Sequence, residues 1–161
     1  MHFSTRIDLA EGVRTPVIAL LNERLAEAID LGLQVKQAHW NVKGPNFIAL
    51  HKLFDELYDE VAEAVDEVAE RATALGGVAL GTVQAVGQGS KLPAYPTTLK
   101  TGREHLEALV NVMAAVAKNV RAAIDKSAGL GDADTADLFT GYSRTLDKYL
   151  WFLEAHLQAD K

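Results

Sequence analysis

Five residues have types and spacing suited to holding a metal ion: His39, His51, Asp55, Asp66 and Glu70. Placed on one helix at 1.5 Å of rise per residue, the pair His51 and Asp55 lies roughly 17 Å or more from the pair Asp66 and Glu70, too far for one ion to bridge. The two pairs are nevertheless symmetric about a common midpoint, between Glu60 and Val61. An antiparallel two-fold partner would therefore set His51 opposite Glu70 and Asp55 opposite Asp66. His39 obeys a second symmetry. A tight reversal centred on Pro45, within Gly44-Pro45-Asn46, brings it level with His51. The pattern predicts a metal site shared between two subunits.

The chain has no cysteine, so nitrogen and oxygen must supply the ligands, and disulfides, zinc ribbons and iron–sulfur clusters are excluded. Such a donor set suits iron(II), manganese or zinc. A site with few ligands and open positions favours iron(II) that reacts with an oxidant, so iron is the expected metal. The usual di-iron site inside a helical bundle needs Glu-x-x-His pairs, which are absent here, and this moves the site to an interface. On a helical wheel, His51, Asp55, Asp66 and Glu70 share a flank with Tyr58, Ala62 and Ala69, away from the apolar stripe.

Simpler readings exist for each residue alone. His39, near a helix C-terminus, could satisfy end carbonyls, His51 and Asp55 could be a surface i,i+4 pair, and Asp66 with Glu70 could belong to a solvated face. Two coinciding symmetries favour the joint reading. Trp40, beside His39, reads first as a packing residue, and an indole next to a redox metal could donate an electron. Lys36, one turn before His39, reads as solvated, with pairing to a site carboxylate as the alternative. Asp125, Asp132, Asp134 and Asp137 bracket a late turn. Capping is the simpler role of Asp132 and Asp134, and an acidic, cation-selective pore formed by several subunits is the sharper one. His2, His105 and His156 belong to no such set.

The elements that must position these residues are four long helical patterns, at about 12–41, 47–75, 102–128 and 133–158. Together they make an all-α chain. In the second, Leu50, Phe54, Leu57, Val61, Val65, Val68, Ala72 and Leu75 recur in steps of three and four from a start capped by Asn46. Pro16 sits in the opening turn of the first, Thr101 to Glu104 read as a capping box, and Trp151 belongs to the apolar face of the fourth. Glycines and prolines make 76–101 a crossover with room for a short helix at 81–88. Short, long and short links are the connectivity of a ferritin-like four-helix bundle with one crossover. At 161 residues a single domain is expected, and no stretch reaches a membrane span. With no targeting segment either, the cytoplasm is the expected location. A net charge of −6 disfavours general attraction to a nucleic-acid backbone.

The stretches AHWNVKGPNFIALHKLFDEL and DEVAERATALGG, followed by DTADLFT and LDKYLWFLE, resemble the Dps family, the DNA-binding proteins from starved cells, over nearly the whole chain. The resemblance implies a twelve-subunit hollow shell with ferroxidase centres at two-fold interfaces. His39, His51 and Asp55 would come from one subunit, and Asp66 and Glu70 from its neighbour. It further implies oxidation of iron(II), preferentially by hydrogen peroxide, and storage of the product as a ferric mineral, which limits oxidative damage. Coating of DNA is the alternative function. Members that bind DNA do so through lysine-rich extensions. Here the first 14 residues set Arg6 and Arg14 against Asp8 and Glu11, so strong DNA binding at ordinary salt is not expected.

Overall fold

The computed structural model describes residues 3–158. Five helices follow in order: α1 Glu11–Asn41, α2 Phe47–Ala74, α3 Val83–Gly89, α4 Gly102–Leu130 and α5 Ala133–Gln158. Among the described residues there is no strand. Helices α1 and α2 form one hairpin and α4 and α5 the other, with α1 also packed on α4 and α2 on α5. The long segment 75–101 joins the hairpins and rests α3 on α1.

The apolar stripe of α2 is buried as its spacing predicts, through Leu50, Phe54, Leu57, Val61, Ala64, Val68 and Ala72. It meets Leu21, Leu25 and Leu31 of α1, Leu109 and Met113 of α4, and Phe139, Leu146 and Leu153 of α5 in one continuous core. Burying such side chains contributes about 1.5–3 kcal/mol each, which is what holds two otherwise separate hairpins together. Trp151 does not join them. It is 62% exposed, because Tyr149, Leu150 and Leu153 already cover the inward side of that turn.

The helix ends follow local chemistry, with two departures. The capping box forms: Thr101 Oγ1 accepts from the Glu104 amide, and the Glu104 carboxylate accepts from the Thr101 amide. Gly131 ends α4 at φ 94°, a left-handed turn that a side chain would strain. Asn46 occupies the position before α2, yet its side chain makes no capping hydrogen bond. Pro16 lies in the second turn of α1 rather than the first, since the helix already begins at Glu11.

Side chains pin the crossover along its length. Asn22 of α1 accepts from the Leu80 amide at 2.8 Å and donates to the Val78 carbonyl at 3.0 Å. The Ser90 hydroxyl donates to Asp30, Gln34 donates to the Pro93 carbonyl, and Tyr95 pairs with His105 of α4 at 2.6 Å. The short helix expected at 81–88 forms at Val83–Gly89, where the Thr82 hydroxyl caps it.

Candidate metal centre

The α1–α2 link returns the chain so tightly that His39 and His51 stack, with ring centroids 3.7 Å apart and planes 21° from parallel. Each ring holds the other's backbone. His39 Nδ1 lies 2.7 Å from the His51 carbonyl oxygen, and His51 Nδ1 lies 2.9 Å from that of His39. A carbonyl can only accept, so both Nδ1 atoms carry hydrogen. In the neutral rings both Nε2 atoms are then lone-pair donors, the arrangement a metal-binding histidine requires. The hydrogen bond from His51 also satisfies a carbonyl in the last turn of α1. The simple structural role of a helix-end histidine and the chemical role are thus compatible, one nitrogen serving each.

Asp55 stands one turn beyond His51, and its Oδ1 is 3.8 Å from His39 Nε2. Lys36 reaches the same oxygen in a close ion pair, with its Nζ 4.4 Å above the centre of the Tyr58 ring. The hydrogen bond from Lys36 is the main reason the Asp55 carboxyl is held below the ordinary carboxylate range. The charge of Lys36 and the two imidazoles push the same way. Lys36 is therefore not solvated. The sign was there to read: the mirror through Pro45 that levels His39 with His51 also levels Lys36 with Phe54, next to Asp55.

Asp66 and Glu70 lie three and four turns further along α2, exposed and with no side-chain partner among the described residues. The fold brings His39, His51 and Asp55 together and leaves Asp66 and Glu70 apart. Among the described residues no three His, Asp or Glu side chains of one chain converge into a metal site. Trp40 points outward, 67% exposed.

Beside the three gathered residues, Ile29, Gly32 and Leu33 of α1 and Tyr58, Ala62 and Val65 of α2 line a shallow apolar groove. Leu33 is 58% exposed there. Small residues at Gly32 and Ala62 leave the two backbones open to close approach.

The four aspartates of the α4–α5 corner separate into two kinds. Asp132 is 2% exposed and takes no part in a solvent-facing set. Its Oδ1 accepts from the Thr135 amide, capping α5, and from Arg71 at 2.7 Å, while Oδ2 accepts from the Thr135 hydroxyl. Asp125, Asp134 and Asp137 are exposed. Asp134 and Asp137 face an open hollow together with Glu67, Glu70 and Arg71. Arg71, adjacent to Glu70, was not singled out from the sequence; it ties the end of α2 to the start of α5.

The ferritin-like domain model matches residues 18–161. The DNA protection during starvation protein of Agrobacterium fabrum is 51% identical over 154 residues, covering 96% of this chain and 95% of the relative. The chain belongs to the Dps family. The protein of the same name from Mycolicibacterium smegmatis is 36% identical, covering 94% of this chain and 82% of its own. Among solved Dps structures, one from Mycobacterium smegmatis matches at a TM-score of 0.94 with 35% identity, covering 99% of this chain and 96% of that one. DpsA14 from Streptomyces coelicolor matches at 0.91 with 39% identity, covering 97% and 92%. The all-helical bundle with its single crossover is thus the ferritin-like fold of the Dps family.

Proposed function

We propose that the chain oxidises and stores iron, at centres shared by two copies that meet antiparallel across α2. His39, His51 and Asp55 of one subunit would bind iron(II) together with Asp66 of the partner subunit and Glu70 of the partner subunit. The observation that carries this reading is the reciprocal hydrogen bonding of the two imidazoles, which commits both Nδ1 atoms to carbonyls and leaves both Nε2 atoms as donors. Asp66 and Glu70, exposed and without a side-chain partner among the described residues, and the apolar groove on the same flank support a second copy as the missing half.

Iron(II) here is substrate rather than resident cofactor. Two ferrous ions give up one electron each to one hydrogen peroxide, which takes up two protons and leaves as two waters. The residues' part is to gather and hold the ion in an anionic, imidazole-lined seat. Lys36 neutralises Asp55 until the incoming cation replaces it. The ferric product would collect inside a closed dodecameric shell, with Asp125, Asp134 and Asp137 as candidate carboxylates of an entry pore and Asp132 bracing them from behind. Protection of DNA, which names the relatives, follows from removing iron and peroxide together and needs no contact with DNA. Trp40 adjoins the centre in sequence and would serve as an electron donor from its rim. No helix among the described residues is long and apolar enough to cross a membrane, and a cytoplasmic shell fits this role.

The test is rapid-mixing oxidation of ferrous ion by peroxide. The double substitution His51→Ala, Asp55→Ala should slow it on the order of 100-fold, at the upper end of what the loss of outer-shell partners alone does to metal sites. Unchanged rates in a fully assembled variant would remove these residues from the site.

A further inference from the structure

Between α3 and α4 the crossover is tied to the bundle at few points. Over residues 91–100 only Leu92, Tyr95 and Leu99 are less than exposed, and Pro93 and Pro96 have no backbone donor to offer. Among the described residues, the Tyr95 hydroxyl makes the one hydrogen bond of residues 94–99, to His105 Nδ1 of α4 at 2.6 Å. The two rings lie 18° from parallel, with centroids 6.1 Å apart. Burial raises the Tyr95 hydroxyl well above its ordinary value, so it keeps its hydrogen.

The surroundings of His105 suit a neutral ring. The Asn41 backbone carbonyl, at the end of α1, attracts a hydrogen on the imidazole. A carbonyl only accepts, so the single hydrogen of the neutral ring belongs on Nε2, and Nδ1 is left to accept from Tyr95. Nε2 is buried and makes no full hydrogen bond of its own. A second proton would land on Nδ1, against the hydroxyl, and would place a charge on a residue only 2% exposed. No nearby acid is free to receive that charge: the Glu104 carboxylate already accepts from the Lys100 and Thr101 amides and the Thr101 hydroxyl. Lys43 of the α1–α2 link repels it.

The charged ring therefore needs water, and one side of it can give way. Moving α4 would break the core, whereas residues 94–99 lose one hydrogen bond and two partly buried side chains. The earlier anchors, Asn22 on residues 78 and 80, Ser90 on Asp30 and Gln34 on Pro93, contain no imidazole, so the opening ends at Pro93. We propose that Tyr95 and His105 form an acid-released latch: protonation of His105 lifts residues 94–99 off α4 while the long helices stay packed. The latch shares no residue with the iron centre and stands if that chemistry fails.

Because the chain has no cysteine, a single nitroxide label can be placed at Thr97→Cys, an exposed position within the lifted segment. Its paramagnetic resonance spectrum, recorded on the assembled protein, reports nanosecond mobility. The titration runs from about pH 7.5 to about pH 4.5, well to either side of the ordinary imidazole value. The ratio of mobile to restrained label should rise about tenfold or more towards acid, the equivalent of roughly 1.4 kcal/mol and of one lost hydrogen bond. Tyr95→Phe, which removes only the hydroxyl, should be mobile already at the neutral end. His105→Gln, which does not titrate, should show no response to pH. Far-UV circular dichroism over the same range should show the helices intact. A label that stays restrained throughout overturns the proposal, as does an acid response that survives in His105→Gln. A Tyr95→Phe chain as restrained as its parent at neutral pH, or loss of helix in step with loss of restraint, overturns it too.

Discussion

At the scale of single residues, Lys36 is the side chain whose position changes the chemistry most. An ammonium in contact with Asp55 is a tethered cation already seated beside the two imidazoles, and any divalent ion must displace it. Removing it should therefore strengthen metal binding. Lys36→Met, titrated with cobalt(II) as a spectroscopic stand-in for iron(II), should bind about tenfold more tightly, in keeping with the strength of a hydrogen bond to a charged group. Equal or weaker affinity would show that the lysine helps the site form rather than competing with its ion. The methylene stem of methionine keeps the packing over Tyr58, which separates loss of charge from loss of bulk.

At the scale of elements, the crossover is fastened to α4 by Tyr95 and His105. His105 is 2% exposed, and burial holds its imidazole below the ordinary value of about 6.5. The Lys43 charge lowers it further, while the Glu104 charge and the Asn41 carbonyl oppose the shift. Because the folded value is depressed, the unfolded chain takes up the proton first. Stability from this group is complete above about pH 6.5 and is lost progressively as pH falls from there through the folded value. Thermal melting from pH 7.5 to 5 should show this as a fall that His105→Gln lacks. Parallel curves for the two proteins would assign the acid sensitivity to other groups.

The same scale shows what can be read from one sequence. Helix faces, the capping box and the long link follow from spacing, since a 3.6-residue period and a reciprocal Thr/Glu pair leave few other structures. His39 and His51 were legible as neighbours because a tight hairpin obeys mirror arithmetic. Asn46 misled because the φ of −98° and ψ of 18° there are not those of a capping residue. The burial of Asp132 was hidden because it depends on Arg71, which is 61 residues away and reaches it only through tertiary packing. Trp151 misled because apolar character alone does not say whether a turn of helix is already covered.

At the scale of the whole molecule, the proposed pairing has both half-sites of one chain face the same partner, so each pair of chains would hold two centres. A chain carrying His51→Ala and Asp55→Ala and a chain carrying Asp66→Ala and Glu70→Ala should each be inactive. Assembled together in equal amounts, they should regain about a quarter of the sites, because half of the pairs are mixed and each mixed pair rebuilds one of its two centres. No recovery in shells shown to contain both chains would place all the ligands within one subunit or elsewhere. A net charge of −6 per chain also gives the assembly an attraction for cations that weakens with salt.

The unequal links carry one more meaning, about how the protein comes to be. Helices α1 and α2 are separated by residues 42–46 and α4 and α5 by 131–132, whereas 75–101 stands between the pairs. Closing a short loop restricts fewer conformations and is fast, so each hairpin can zip on its own stretch of nascent chain, with docking of the two as the later event. The imidazole pair belongs to the first of the two hairpins in chain order, and its reciprocal hydrogen bonds use no residue beyond α2.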